Sequence, residues 1–196
     1  YALQKSISDS TTFGSSIVEI QGNLAAERAV MPMPHQDLSV RFNYQSLAGN
    51  QKSQFIYKVL RGWQLSGTYD VNSGTPFTAT VGGDPSGTGL TGSTRANATG
   101  LPVDDGSGYF NTAAFALVPA GTFGTAGRNT IPGIVNFSIN ASAMRTFRFG
   151  VRHRLAFTFS TSNPLNHVSI TGIGTQVGNY TYGLATRAAD MRTVRE

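Results

Sequence analysis

The side chains of this sequence best suited to hold a metal ion are three histidines, His35, His153 and His167, and three aspartates, Asp84, Asp104 and Asp105. The histidines stand far apart and lack metal-ligand spacing, so no metal site is expected. The aspartates sit among Gly and Ser as calcium ligands do, but they miss the EF-hand register and read as turn formers. Gly87-Thr88-Gly89-Leu90-Thr91-Gly92 fits G-x-G-x-x-G. No strong strand leads into it and no helix follows, so it reads as a glycine-rich loop rather than a dinucleotide cradle. No G-x-S-x-G elbow and no carboxylate pair marks an acid and a base. Cysteine is absent, which removes disulfides, thiolate metal sites and thiol nucleophiles together. Arg145, Arg148, Arg152 and Arg154 lie beside Phe147 and Phe149, types that grip phosphate and stack on bases. The 15 Lys and Arg are otherwise scattered against 10 Asp and Glu, net charge +5, which gives no nucleic-acid footprint. Asn97, Asn136, Asn140 and Asn179 open N-x-S/T sequons, a motif common by chance, and two of them fall within expected strands. The chain is therefore expected to be no enzyme, with no cofactor, no metal and no nucleic-acid partner.

What must position these residues is a set of strands. Leu38, Val40, Phe42 and Tyr44 alternate with Ser39, Arg41, Asn43 and Gln45, the period of a strand with one apolar face. Trp63, Leu65, Gly67, Tyr69 and Val71 alternate with Gln64, Ser66, Thr68 and Asp70, and Val135, Phe137, Ile139, Ala141 and Ala143 alternate with Asn136, Ser138, Asn140 and Ser142. A further strand follows Arg152, and Tyr1 to Ser8 reads as the end of an earlier one. These are about five strands, each roughly ten residues long.

The connections between them alternate in length. Long segments run over about 10–36, 73–134 and 163–189, whereas only Arg148 to His153 separates two strands and a modest connection holds Phe55 to Leu60. A soluble sandwich turns about every 8–12 residues and rarely carries structureless loops beyond about 15 residues. Outer-membrane barrels use short periplasmic turns and long outer loops. No run of 18 apolar residues occurs, which excludes a membrane-spanning helix and leaves such a barrel open. The expected fold is thus all-β: an antiparallel meander of long alternating strands, part of an outer-membrane-type β-barrel with long loops. Phe42, Tyr44, Trp63, Phe147, Phe149 and Phe157 fall near the short-connection ends, where an aromatic girdle is expected. No leader pattern opens the sequence at Tyr1, so a signal peptide is expected to be absent or already removed.

Several stretches carry a resemblance. Tyr1-Ala2-Leu3-Gln4-Lys5-Ser6 with Asp9, Arg61-Gly62-Trp63-Gln64-Leu65-Ser66-Gly67 and Ser73-Gly74-Thr75-Pro76-Phe77 resemble the barrel of Oar-like TonB-dependent outer-membrane receptors. So do Tyr109-Phe110-Asn111-Thr112-Ala113-Ala114-Phe115, Gly121-Thr122-Phe123-Gly124-Thr125-Ala126-Gly127-Arg128-Asn129 and Asn163-Pro164-Leu165-Asn166-His167. The resemblance implies a barrel of about 22 strands around a plug, energised through TonB. Residues 1–196 would be its C-terminal part, with Arg192 to Glu196 an incomplete last strand.

On that resemblance the chain takes up a bulky nutrient in the bacterial outer membrane, with the rest of the barrel, the plug and the TonB system as partners. Its polar strand faces line the lumen, with Arg41, Asn43, Gln64, Asp70, Asn136 and Asn140 as lumen or plug contacts. The alternative is a self-associating extracellular or cell-surface structural protein, a filament or oligomer in which open strand edges pair between copies. A soluble carbohydrate-binding β-domain fits the composition but not the alternating connections.

Overall fold

The computed structural model describes residues 2–3, 7–8, 28–31, 33–46, 62–89, 94–106, 108–149 and 152–195. The first part of the 10–36 loop, the Phe55–Leu60 connection and the Leu90–Gly92 half of the glycine hexad lie outside them. The principal sheet holds β1 (Ala2–Leu3), β2 (Gln36–Gln45), β3 (Trp63–Asn72), β4 (Asn136–Phe149), β5 (His153–Ser162) and β6 (Thr193–Arg195). Each strand pairs with its neighbour in this order, so the sheet is a meander. The only helical turn among the described residues is a 3-10 turn at Thr112–Ala114.

Register follows the alternation. β4 and β5 are antiparallel over ten pairs, from Asn140 opposite Ser162 to Phe149 opposite His153. A backbone bond from Ser46 N to Trp63 O, 2.9 Å, sets Phe42 opposite Gly67. Ser66 Oγ lies 3.2 Å from Ser142 Oγ, and Asn140 Nδ2 donates to Thr68 Oγ1 at 3.3 Å, so the polar faces of β3 and β4 coincide. Ten residues at about 3.3 Å each, tilted by roughly 40°, span about 25 Å, the height of a hydrocarbon band. The strand expected to run up to the Arg148–His153 connection spans Asn136–Phe149. The alternation is interrupted there by Arg145 on the apolar face, whose contacts account for its tolerance.

The described residues divide into two units. One comprises 38–71, 137–168 and 190–196, the body of the meander. Its apolar face is bare: Val40 is 46% exposed, Phe42 51%, Phe157 58% and Phe159 45%. Among the described residues, none of the buried hydrophobic side chains belongs to this unit. In water, a sheet that leaves this face uncovered would forgo about 1.5–3 kcal/mol for each large side chain it could bury.

The second unit holds 1–37, 72–136 and 169–189. The segments expected as loops here fold around a core of their own, built from Ala79, Val81, Ala96, Phe110, Ala114, Phe115, Ala126, Ile131 and Ile173. Small side chains let the backbones approach: Ala96 N donates to Ala79 O at 3.0 Å and Ala126 N to Ala96 O at 2.9 Å. Short pairs complete it, Thr80–Val81 parallel to Gln176–Val177, Asn97–Ala98 antiparallel to Phe115–Ala116, and Ile170–Ile173 antiparallel to Ala185–Ala188. Gly74 has φ +70, and a Cβ there would strike the Ile134 backbone, so this turn requires glycine.

Candidate functional site

Alternation on β2 to β6 gives the meander unit one polar face, and that face forms a groove of about 850 Å³. Arg41 and Asn43 enter it from β2, Ser66 and Thr68 from β3, Asn140 and Ser142 from β4, Ser160 and Ser162 from β5, and Thr193 and Arg195 from β6. Ser66, Ser142 and Ser160 make a transverse row of hydroxyls, since Ser160 pairs with both Ser142 and Arg195 across its two ladders. Asp190 adds one carboxylate against the two guanidinium groups of Arg41 and Arg195. Such a lining donates and accepts hydrogen bonds and favours carboxylate or phosphate through its arginines.

Of the six residues expected on a lumen, Arg41, Asn43 and Asn140 come together in this groove. Gln64 and Asp70 share the β3 face with Ser66 and Thr68 but lie outside the groove lining. Asn136 belongs to the other unit, where its Nδ2 donates to Ile134 O at 2.9 Å. The serine row, Asp190 and Arg195 were not singled out from the sequence. The serines were accessible to it, because they occupy alternate positions beside residues already chosen.

The opposite face carries the aromatic residues. At the short-connection end, the Arg145 guanidinium lies 5.5 Å from the Trp63 ring centroid and 4.5 Å from that of Phe147. Phe147 meets Phe157 edge-on at 5.8 Å. Phe42 covers Gly67 and Tyr44 is exposed at the end of β2, while Phe149 ends β4 paired with His153. Toward the long-connection end a second aromatic group appears that the sequence did not suggest: Tyr69 with Phe137 at 6.4 Å, and the His167 ring stacked on Phe137 at 4.1 Å. His167 reaches this position through the Asn163-Pro164-Leu165-Asn166-His167 turn. Asn163 Oδ1 accepts from His167 N at 2.9 Å and its Nδ2 donates to His167 O at 2.8 Å. Asn166 Oδ1 accepts from Arg192 N at 3.3 Å, tying the approach to β6. Two aromatic levels on one apolar face match the paired girdles of a membrane-spanning barrel.

The other stretches that carried the resemblance act as loop staples. Ser73 Oγ accepts from His35 N at 2.9 Å and Gln36 N at 3.2 Å. Asn111 caps the 3-10 turn by accepting from Ala113 N at 3.0 Å, and Phe110 packs edge-on against Tyr182 at 5.5 Å. Tyr182 Oη donates to Thr112 O at 2.9 Å, and burial pushes its phenol above the usual value. Asp84 accepts from Gly89 N, Thr88 N, Ser86 Oγ and Thr88 Oγ1, and the Gly89 N–H, first among these donors, holds the carboxyl below its usual range. Its oxygens are thus engaged by its own turn, and Asp104 likewise accepts from Gly106 N at 3.1 Å.

A family model described as an outer membrane β-barrel domain matches residues 1–195. Neither a curated protein nor a solved structure matches the chain.

Proposed function

Since the chain belongs to the outer membrane β-barrel domain family and its place is the outer membrane, we propose that it forms part of the barrel of an Oar-like TonB-dependent receptor that imports a bulky nutrient without chemical conversion. The observation that carries this reading is the unit built from the long connections, which has a buried core from Ala79 to Ile173. A passive pore needs no such ordered outer surface, whereas a receptor must hold a recognition surface in shape before its ligand arrives. The groove lining supports the same reading. Arg41, Asn43, Asn140 and the serine row offer hydrogen bonds to a plug or to a passing solute, with no nucleophile and base set against each other.

The test is binding of the full-length protein carrying this chain to the isolated periplasmic domain of TonB, by surface plasmon resonance in detergent. Saturable binding supports the receptor. Absence of binding, together with steady open conductance in planar bilayers, contradicts it.

A second reading, a self-associating structural protein, draws on the outer edges of β1 and β6, which end the principal sheet among the described residues. Ordered fibres or rings in negative stain would favour it.

A further inference from the structure

We propose that the polar groove of the meander unit takes an oligosaccharide carrying a single carboxylate. Arg195 holds the carboxylate, and the hydroxyl row leading from it is the bed for the neutral rings. The proposal rests on the receptor reading and deepens it by naming the class of solute.

Register carries it first. The ladders bring five strands into line, so that Asn43, Ser66, Ser142, Ser160 and Arg195 form one row across the sheet. Arg41, Thr68, Asn140, Ser162 and Thr193 form the next. Four strand spacings of about 4.8 Å make each row roughly 19 Å long. Every side chain of the two rows other than the arginines is a hydroxyl or an amide, the groups that exchange hydrogen bonds with sugar hydroxyls. The groove, about 850 Å³, lies in the size range of small-molecule sites.

The second observation is the scarcity of apolar contact. Phe42, Gly67, Ala141 and Thr161 hold the intervening positions of the lining and belong by alternation to the opposite face. That leaves Met191 as the apolar side chain among the described lining residues. A packed protein segment buries apolar side chains at the centre of its contact, and a hydroxylated solute needs none.

The third is the placement of charge. Arg195 stands opposite Ser160, and Thr193 precedes it by two residues on the same face. A guanidinium beside two hydroxyls offers the paired N–H donors of a fork together with O–H donors, which suits a carboxylate. Carboxylates of the protein limit how much negative charge the groove accepts. Asp190 is part of the lining, and Asp70 shares the β3 polar face, diagonal to Arg41 in the ladder. Neither stands in the row that ends at Arg195, and Asp37 belongs to the other unit. The groove thus suits one negative charge on an otherwise neutral chain, and not a polyanion.

The experiment measures binding of two probes to the full-length protein in detergent by isothermal titration calorimetry. One is xylotriose bearing a single glucuronate, and the other is xylotetraose, neutral and of similar size. The wild type is expected to bind the acidic probe about ten-fold or more tightly, the worth of a charge-assisted pair. Arg195→Gln should abolish that preference and leave the affinity for xylotetraose nearly unchanged, a split that a folding defect does not give. Arg195→Lys should keep part of the preference. Ser142→Ala, in the middle of the bed, should weaken both probes alike. Arg154→Gln, on β5 toward the short connection and outside the groove lining, should change neither. Equal affinity of the wild type for the two probes, binding of neither, or an undiminished preference in Arg195→Gln would overturn the proposal. Saturable TonB binding beside any of those results would leave the receptor standing with a different solute. A preference for the acidic probe without TonB binding would contradict the receptor and keep the site.

Discussion

Phe42 and Gly67 face each other across β2 and β3, and a Cβ on Gly67 would come within 2.5 Å of the Phe42 ring and 2.7 Å of the Asn140 backbone oxygen. The ring therefore occupies the space a side chain at position 67 would take, and the glycine lets an aromatic residue lie flat on the face of the sheet.

Gly67→Ala should destabilise the sheet by about 1–3 kcal/mol, the usual cost of forcing an extra group into a filled contact. Phe42→Ala should cost less in the Gly67→Ala background than in the wild type, because the ring it removes is the one displaced. Urea unfolding in lipid vesicles, followed by tryptophan fluorescence, measures both. Simple additivity of the two changes would contradict the contact.

The two faces of the meander should respond oppositely to charge. Val40→Arg, at the middle of β2 on the apolar face, should cost about 2–4 kcal/mol, as a guanidinium does at a bilayer midplane. Thr158→Arg, on the polar face of β5, should cost close to nothing. The same unfolding measurement separates them, and equal costs would show that the faces are not inequivalent.

How far the sequence carries depends on where its pattern is regular. The period-two run from Leu38 to Gln45 was readable because each side chain meets one solvent, and Trp63, Phe147 and Phe157 could be placed at an end from the lengths of the connections. The extent of β4 up to the Arg148–His153 connection was readable, but Arg145 breaks its alternation beyond Ala143, and only the position of Arg145 against Trp63 and Phe147 makes it compatible with the apolar face. His167 joins Phe137 through a turn that local pattern does not encode. The core of the long connections was hidden for a different reason. Ala79, Ala96 and Ala126 are small residues in Gly- and Thr-rich sequence, brought together by backbone bonds between distant segments, and they have no period to detect. Among the residues expected on a lumen, Arg41, Asn43 and Asn140 converge because they occupy the middle of the polar face. Asn136 stands at the start of β4, where the chain has already joined the other unit.

Asp84 should titrate below its ordinary value of 3.8, because Gly89 N–H and the other donors of its turn favour the carboxylate. A depressed folded value means that its support for the turn is fully present above the unfolded value and is lost as pH falls through the folded one. The Gly89 amide shift, followed by NMR from neutral pH downward, should therefore titrate with a midpoint below 3.8. A midpoint at or above that value would contradict the arrangement.

Tyr182→Phe should cost about 1 kcal/mol by removing the hydrogen bond to Thr112 O while leaving the ring against Phe110. Tyr182→Ala should cost more, since it also empties the ring site beside the core. Burial raises the phenol above its ordinary 10.0, so its contribution is present below that pH and is lost as pH rises through the folded value. Difference absorbance of the wild type against Tyr182→Phe reads that ionisation. A tyrosine that ionises at or below 10.0 would contradict the buried setting.

The central claim is that the apolar strand face meets lipid and the polar face lines an aqueous interior. These 196 residues have no cysteine, so single cysteines introduced from Leu38 to Gln45 can each carry one spin label in bilayers, in a full-length protein whose cysteines elsewhere are replaced by serine. Collision with oxygen, which partitions into lipid, should peak at Leu38, Val40, Phe42 and Tyr44, and collision with a water-soluble nickel chelate at Ser39, Arg41, Asn43 and Gln45. Two accessibility profiles that alternate out of phase are the predicted result. Profiles that rise and fall together, or the nickel chelate peaking at Val40 and Phe42, would contradict the claim.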